Sequence, residues 1–316
     1  MTNQSSTLAG AVVVAPGEID EGLISHYGDP FAEQRRWLEG IGTVELSNRR
    51  IITVTGPERL SYLHALTTQH LLGMQSGQSA LTLNLSPQGF VMHEMHLIDD
   101  GATLWLIVES ATAEELLDYL RKMRFRMELD VADVSQSFTV IAQPQQQPHE
   151  HFPTFVSPFA TMGRELIVPN ADALEIIRHA PCGVWAFNAV RIAAGAPRQD
   201  VETDHHTIPL EVQWYPAAVH LDKGCYRGQE TISKVARMGK PPRRQTLLHF
   251  DGSSDTLPAH GTEVQLDDVS VGFIGQSIQH CELGPIASAL IKRSVPLDAI
   301  LSVAGLRASQ ESVSGE

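Results

Sequence analysis

The sequence predicts an α+β protein of more than one domain. Three observations carry this: a meander of apolar-alternating hairpins between residues 50 and 108, helical stretches set among later strands, and a run of short β pieces from Gln245 onward. At 316 residues the chain exceeds what one compact core usually holds, so two or three domains are expected. Hydrophobic residues make up 42% and charged residues 19%, the balance of an ordinary globular chain. A net charge of −14 weighs against binding nucleic acid over the whole surface, so any anionic partner needs a local basic patch.

The elements follow in order. Residues 1–20 read as a loose lead-in, and residues 50–55 as a strand. Pro57 suits a first helical position, and Leu60, Leu63 and Leu66 then recur at helical spacing. Residues 80–85, 90–98 and 103–108 are strands, separated by turns at Ser86-Pro87-Gln88-Gly89 and Asp99-Asp100-Gly101. A capping-box pattern at residues 112–115 opens a helix whose buried stripe is Leu116, Leu117, Leu120 and Met123. Strands at 138–142 and 164–168 precede helices at 170–179 and 184–194, the last stopped by Gly195 and Pro197. Short β pieces at 246–250, 263–266, 270–278, 287–291 and 300–303 suggest a small barrel or sandwich. The expected division is 20–240, with a sub-domain junction near the Gln/Pro-rich stretch 143–153, then a C-terminal β-barrel at 245–308; residues 1–19 and 309–316 are expected to be flexible ends.

Cys182, Cys225 and Cys281 are far apart, odd in number and form no C-x-x-C pair, so neither a disulfide framework nor a self-contained zinc site is indicated, and no bound metal is expected. That fits a reducing compartment. The apolar stretch 8–14 is short and lacks a preceding cation, and no run approaches a membrane span. The reading is a cytoplasmic protein without membrane contact, and nothing in the sequence demands more than a monomer.

The most pointed motif is Lys223-Gly224-Cys225-Tyr226-Arg227-Gly228-Gln229-Glu230. Neighbouring cations raise a thiol's thiolate fraction, and glycine admits positive φ or close approach, so the octet is suited to presenting a polarised thiol at a tight turn. Cys225 can be a nucleophile, a thiolate ligand shared with a partner, or a buried small hydrophobe. His205, His206 and His220 lie nearby, but no spacing singles out a base; Asp204-His205-His206 reads better as a loop than as a chelate. Lys223, Arg227, Lys234, Arg237, Lys240, Arg243 and Arg244 fall within residues 223–244 against one acid, Glu230. This island suits a polyanion such as a polyglutamate tail, a phosphate or RNA, or else serves as a solvated linker stiffened by Pro241-Pro242.

The octet closely resembles the signature of the YgfZ-type folate-binding proteins, approximately Lys-Gly-Cys-(Tyr/Phe)-x-Gly-Gln-Glu. Residues 191–197 resemble that family's Arg-x-x-x-Gly-x-Pro segment and residues 208–211 its Ile-Pro element, with the element order fitting from about 40 to 305. The family is related to the T-protein (aminomethyltransferase) of glycine cleavage. The resemblance therefore implies the T-protein-like fold, three sub-domains around a central folate pocket. It also implies a cytoplasmic tetrahydrofolate- or other reduced-folate-binding protein of bacteria that assists iron–sulfur cluster synthesis or repair in client enzymes, including those that thiolate tRNA. Its partners would be iron–sulfur enzymes or assembly proteins.

Residue by residue, the T-protein Gly-Gly-x-x-Asp-Asp segment corresponds to residues 89–94, where the acidic pair has become His93-Glu94. A neutral imidazole supplies no fixed negative charge beside a developing iminium ion, which argues against ordinary aminomethyl transfer. Residues 162–168 resemble the segment holding a pterin-binding glutamate, which nominates Glu165, while a family arginine four residues before Arg191 is replaced by Phe187. The resemblance thus implies folate contacts from Glu165, His93 and Arg191, a thiol at Cys225 polarised by Lys223 and Arg227 in a loop bordering the pocket, and a basic island that holds the polyglutamate tail or docks a partner. Two other functions stay open: a folate-dependent one-carbon transferase using His93 or Glu94, and a non-catalytic module touching tRNA directly. The acidic global charge and the central thiol weigh against the latter.

Overall fold

A computed structural model of the chain describes residues 4–313. A 3-10 turn at Gln4–Thr7 leads to β1 (Val12–Val13), paired with β2 (Ile24–His26). Helix α1 (Pro30–Leu38) begins where the Ala32 amide donates to the Asp29 carboxylate at 2.9 Å, with Pro30 at its first position. β3 (Val44–Glu45), β4 (Arg49–Thr55) and α2 (Arg59–Leu66) follow. β5 (Ser79–Leu85), β6 (Val91–Asp99) and β7 (Thr103–Glu109) form the meander, and α3 (Ser110–Met123) lays Ala113, Leu116, Leu117 and Leu120 on one face of it. β8 (Asp130–Asp133) returns to β4, giving a five-stranded sheet ordered β5-β6-β7-β4-β8.

A second sheet, ordered β10-β11-β9-β3, takes β9 (Phe138–Gln143), β10 (Thr154–Val156) and β11 (Arg164–Pro169), with α4 (Asn170–Ile177) against it. Helix α5 (Val184–Ala193) is buried on nearly every side, as its continuous apolar sequence requires. Helix α6 (Gln229–Met238) lies between two left-handed glycines, Gly228 and Gly239. β12 (Arg243–Phe250), β13 (Glu263–Leu266), β14 (Val269–His280), β15 (Gly284–Lys292), β16 (Leu301–Val303) and β17 (Leu306–Ser312) close into a barrel ordered β12-β15-β14-β13-β16-β17, filled by Leu248, Ile274, Ala289 and Leu301.

Four expectations are corrected. Pro57 precedes the helix, which starts at Arg59 behind Glu58, and the 112–115 pattern lies inside α3, whose N-cap is Glu109 without a side-chain bond. Residues 144–153 join two strands of one sheet instead of separating sub-domains; the prolines interrupt the strands, but the backbone ladder re-forms beyond them. The ends are tied down where they are described. The Ser5 amide donates to Glu45 at 2.9 Å, Val14 joins the core, and residues 309–312 belong to β17, which pairs with β12. Residues 1–3 and 314–316 of those expected flexible ends lie outside the described residues.

Arg191 of α5 ties the sheets to the barrel. Its guanidinium donates to Glu202 at 2.8 Å, to the Ala196 carbonyl at 2.9 Å and to Gln276 of β14 at 2.7 Å, while Glu202 also accepts from Ser288 of β15. Breaking one side of a buried ion pair strands the other charge. Glu202→Ala is therefore expected to lower unfolding free energy by about 3–5 kcal/mol in denaturant titrations; a loss under about 1 kcal/mol would remove the pair from this anchoring role.

Candidate functional site

Between the two sheets and α5 lies an open cleft with about 600 Å³ of empty space, mouth included. The five-stranded sheet contributes Arg49, Glu94, His96 and Glu109; the second sheet adds Phe155, Arg164 and Glu165; α5 and its following turn add Phe187, Arg191 and Arg198.

Strand alternation selects the residues of β6 that reach the cleft. Side chains two apart share a face, so Glu94 and His96 point one way while His93 and Met95 point the other, toward the core under α3. The His96 ring stacks on Phe155 with centroids 4.2 Å apart and planes 15° apart. Its Nδ1 lies 2.7 Å from Glu165 Oε2 and its Nε2 3.4 Å from Glu94 Oε1. Glu94 also accepts from the Trp214 indole at 2.9 Å and the Gln199 amide at 3.1 Å. At the back, Arg49 pairs with Glu109, and Arg198 reaches Glu109 and Asp20, each at 2.7 Å.

The electrostatics follow from these pairings. Burial alone would pull the His96 imidazolium down, yet Glu165 and Glu94 lift its pKa to about 9. Burial pushes Glu165 up, but His96, Arg49 and Arg198 outweigh it and hold the carboxyl below its ordinary value. Asp20 is likewise held near 2 by Arg198 and Arg49 against its burial. At neutral pH the cleft therefore presents an ionised Glu165 matched by buried cations.

Glu165 and Arg191 both line the cleft, although the Arg191 guanidinium is occupied by Glu202. His93 does not: it is buried on the opposite face, neither ring nitrogen has a hydrogen-bond partner, and burial pushes its pKa down to about 4. His93 is therefore withdrawn as a folate contact. His96, Arg49 and Arg198 escaped sequence reading. The available signal for His96 was its two-residue offset from Glu94; Arg49 and Arg198 are brought in by tertiary packing.

The octet sits elsewhere. Its loop docks on the β5–β6 turn, where Gly228 (φ 83°) and Gly89 (φ 90°) pack against each other; a Cβ on Gly228 would lie 2.8 Å from Gly89 Cα and 2.7 Å from the Ser86 carbonyl oxygen. From Gly89 to Glu94 along β6 is roughly 16 Å at strand rise, and Cys225 is absent from the cleft lining, so the loop borders the hairpin tip and not the cavity. Lys223 is turned inward. Its ammonium donates to the carbonyls of His64, Thr67 and Gln69 (the last at 3.1 Å) at the end of α2, and burial pushes its pKa down to about 8. The expected polarising role of Lys223 is thus replaced by an anchoring one. Gln229 donates to the Lys223 carbonyl at 3.2 Å, and the Tyr226 ring is buried with its hydroxyl unpaired.

What remains outside is Gly224, Cys225, Arg227 and Glu230, all exposed. Nothing lies within 4 Å of a Cβ built on Gly224 and its φ is not positive, so this glycine meets no internal constraint. The basic island divides in the same way. Arg243 is bound by Asp204 and Glu211, and Arg244 donates to Gln310 at 2.8 Å, so both are structural. Arg227, Lys234, Arg237 and Lys240 are exposed on and around α6. Asp204 serves Arg243 and the His206 backbone amide, the latter at 3.0 Å, while the His205 and His206 rings lie tilted at 46° with centroids 4.0 Å apart.

Two outcomes follow. Gly228→Ala is expected to cost at least about 2 kcal/mol, from the left-handed backbone and the clash with the β5–β6 turn, whereas Gly224→Ala stays within about 0.5 kcal/mol; equal melting points for the two variants would refute the packing argument. The raised His96 pKa means its pairing stabilises the fold fully below about pH 6.5 and is lost as pH rises through 9. The lowered Glu165 pKa means its share is present above about 4.5 and is lost in acid. Wild type should thus lose stability between pH 6.5 and 9 by an amount that His96→Gln lacks, and parallel pH–stability curves would refute the assignment.

No family model matches the chain. The tRNA-modifying protein YgfZ of Edwardsiella ictaluri is 24% identical over 285 residues, which covers 80% of this chain and 85% of that protein. A mitochondrial iron–sulfur cluster assembly factor homologue of Dictyostelium discoideum is 24% identical over 238 residues, covering 61% of this chain and 58% of its own length. Among solved structures, the glycine cleavage system aminomethyltransferase T of Bartonella henselae aligns over 96% of this chain and 93% of that one, with a TM-score of 0.79 at 16% identity. That likeness establishes the fold, including the closed six-stranded barrel. The chain is thus similar in sequence to YgfZ-type proteins and aminomethyltransferases, and it shares the fold of the glycine cleavage aminomethyltransferases.

Proposed function

We propose that the chain binds a reduced folate, such as tetrahydrofolate, in the central cleft and assists synthesis or repair of iron–sulfur clusters in client enzymes, including tRNA-thiolating ones. The observation that carries the reading is the division of the octet: Lys223, Gly228 and Gln229 fix the loop to the body while Cys225 is left exposed. A loop held rigidly with its thiol outward is suited to meeting a partner protein, and less suited to chemistry inside the cleft.

The residues of the cleft fit a folate. Glu165 is ionised and keeps a second oxygen beyond the one bonded to His96, so it can accept from an amino-pyrimidinone edge. Phe155, Phe159, Phe187 and Met162 supply the apolar walls that a flat ring needs. Arg164, half-buried at the cleft and braced by Gln143 at 2.7 Å, is placed to meet a carboxylate. A bound reduced folate supplies a carrier for one-carbon units; this chain's own groups orient it and exclude water. The exposed cations of α6 are left for a polyanionic tail or a partner.

A second reading, one-carbon transfer, draws on Glu94, a carboxylate on the cleft face where T-proteins carry an aspartate. Both its oxygens are occupied by Trp214, Gln199 and His96, which argues for a structural duty.

The test is calorimetric titration of wild type and Cys225→Ser with tetrahydrofolate under anaerobic reducing conditions, alongside complementation of a strain lacking the protein. Equal binding with loss of complementation in Cys225→Ser is expected. Absence of binding by wild type would remove the folate premise, and full complementation by Cys225→Ser would remove the thiol.

A further inference from the structure

The end of α3 carries a feature that neither the cleft nor the octet uses. Residues 121–126 read Arg-Lys-Met-Arg-Phe-Arg, four cations in six positions of a chain whose net charge is −14. Phe125 is 78% exposed, more than any other large apolar side chain among the described residues. It also sits at φ 47°, in the left-handed position just past the helix C-cap Arg124, where glycine or asparagine is the usual occupant. A bulky side chain at positive φ is an outlier. The Met127 amide donates to the Arg124 carbonyl at 3.0 Å, closing the turn that carries the ring outward.

Stability does not account for this arrangement. Cations in the last turn of a helix offset its dipole, and that explains Arg121, Lys122 and Arg124 in part. It does not explain Arg126 beyond the end, or an exposed aromatic ring where glycine is less strained and removes apolar surface from water. Two of the guanidiniums are also preset: Arg121 donates to the Val131 carbonyl at 3.3 Å, while Arg124 donates to the Leu129 carbonyl at 3.1 Å and lies 3.7 Å from the exposed Asp130 carboxylate, and each guanidinium has further N–H groups to offer. With Phe125, Lys122 and Asp130 they border a shallow surface groove.

We infer that this tip binds single-stranded RNA, with Phe125 stacking on an unpaired base while the cations of 121–126 meet the flanking phosphates. A flat ring beside a short row of cations is the combination that single-strand binders use. An anionic membrane would also attract the cations, but an interfacial segment buries a continuous apolar face. Here the neighbouring Met123 and Met127 pack into the core under α3, so the ring stands alone. The inference is independent of the folate reading, since the tip belongs to the face of the five-stranded sheet that α3 covers and no residue of 121–126 lines the cleft.

The experiment uses the full chain and a fluorescent mixed-sequence 15-nucleotide single-stranded RNA, followed by anisotropy at several salt concentrations. The same RNA as a duplex and phosphatidylserine vesicles serve as competitors. Single-strand binding is expected, with log K falling by about 0.7 per contacted phosphate for each unit of log salt. Phe125→Gly relieves the backbone strain, so its melting temperature should not fall, while its affinity drops roughly 5- to 160-fold, the range spanned by base stacking on an aromatic side chain. Lys122→Gln with Arg126→Gln should reduce the salt slope by about 1.4. Unchanged affinity in Phe125→Gly, equal affinity for the duplex, or binding to vesicles without binding to RNA would each overturn the proposal. Tetrahydrofolate titration of Phe125→Gly, expected to match wild type, separates failure here from failure of the cleft.

Discussion

Arg198 donates to Glu109 at the end of β7 and to Asp20 of the N-terminal segment, and its own backbone amide is held by Glu202, so three separate stretches of chain meet at one buried guanidinium. Buried charges tolerate no loose geometry, because a carboxylate that loses its cation inside a protein keeps its full desolvation cost. Arg49 pairs with the same Glu109 and Arg191 with the same Glu202, which extends the constraint to β4, α5 and the barrel. These pairs brace the back of the cleft, and His96 and Glu165 link the two sheets across it. Such pairs add little net stability over apolar residues of the same shape, but they set orientation, and a ligand site needs orientation.

The division of labour within residues 223–230 follows from the same economy of polar groups. Lys223 reads in the sequence as a cation beside a thiol, and in the fold it becomes a cap for the carbonyls that α2 leaves unpaired at its C-terminus. Gly228 allows the turn to seat against Gly89, and Gln229 closes the loop on itself. Only after these groups are taken up is the exposed remainder, Gly224, Cys225 and Arg227, identifiable as the part turned to solvent.

Much of the architecture was legible because it is written in periodicity. The hairpin meander, the stripe of α3, the apolar α5 and the barrel strands all announce their burial by spacing, and the octet carries the resemblance to YgfZ-type proteins. Helix α6 was missed although Ile232 and Val235 recur at helical spacing before Gly239, because the density of cations in that stretch drew the reading toward a patch instead of an element. His93 was misplaced for a related reason: a motif alignment fixes positions along the strand but not which face each residue takes. Arg49 and Arg198 had no signal at all, since their meaning depends on Glu109 and Asp20, which lie far away in sequence and come close only through the fold.

In the barrel ring β17 lies between β12 and β16, so the first strand of the barrel finds one of its two neighbours only in the last. During synthesis β12 therefore emerges with one edge unpaired and keeps it so until residues 306–312 have left the ribosome. An open strand edge is a template for pairing with another chain. The finished barrel has no edge, and the hazard of self-association is confined to the nascent molecule, where the interval is set by translation speed and not by folding stability.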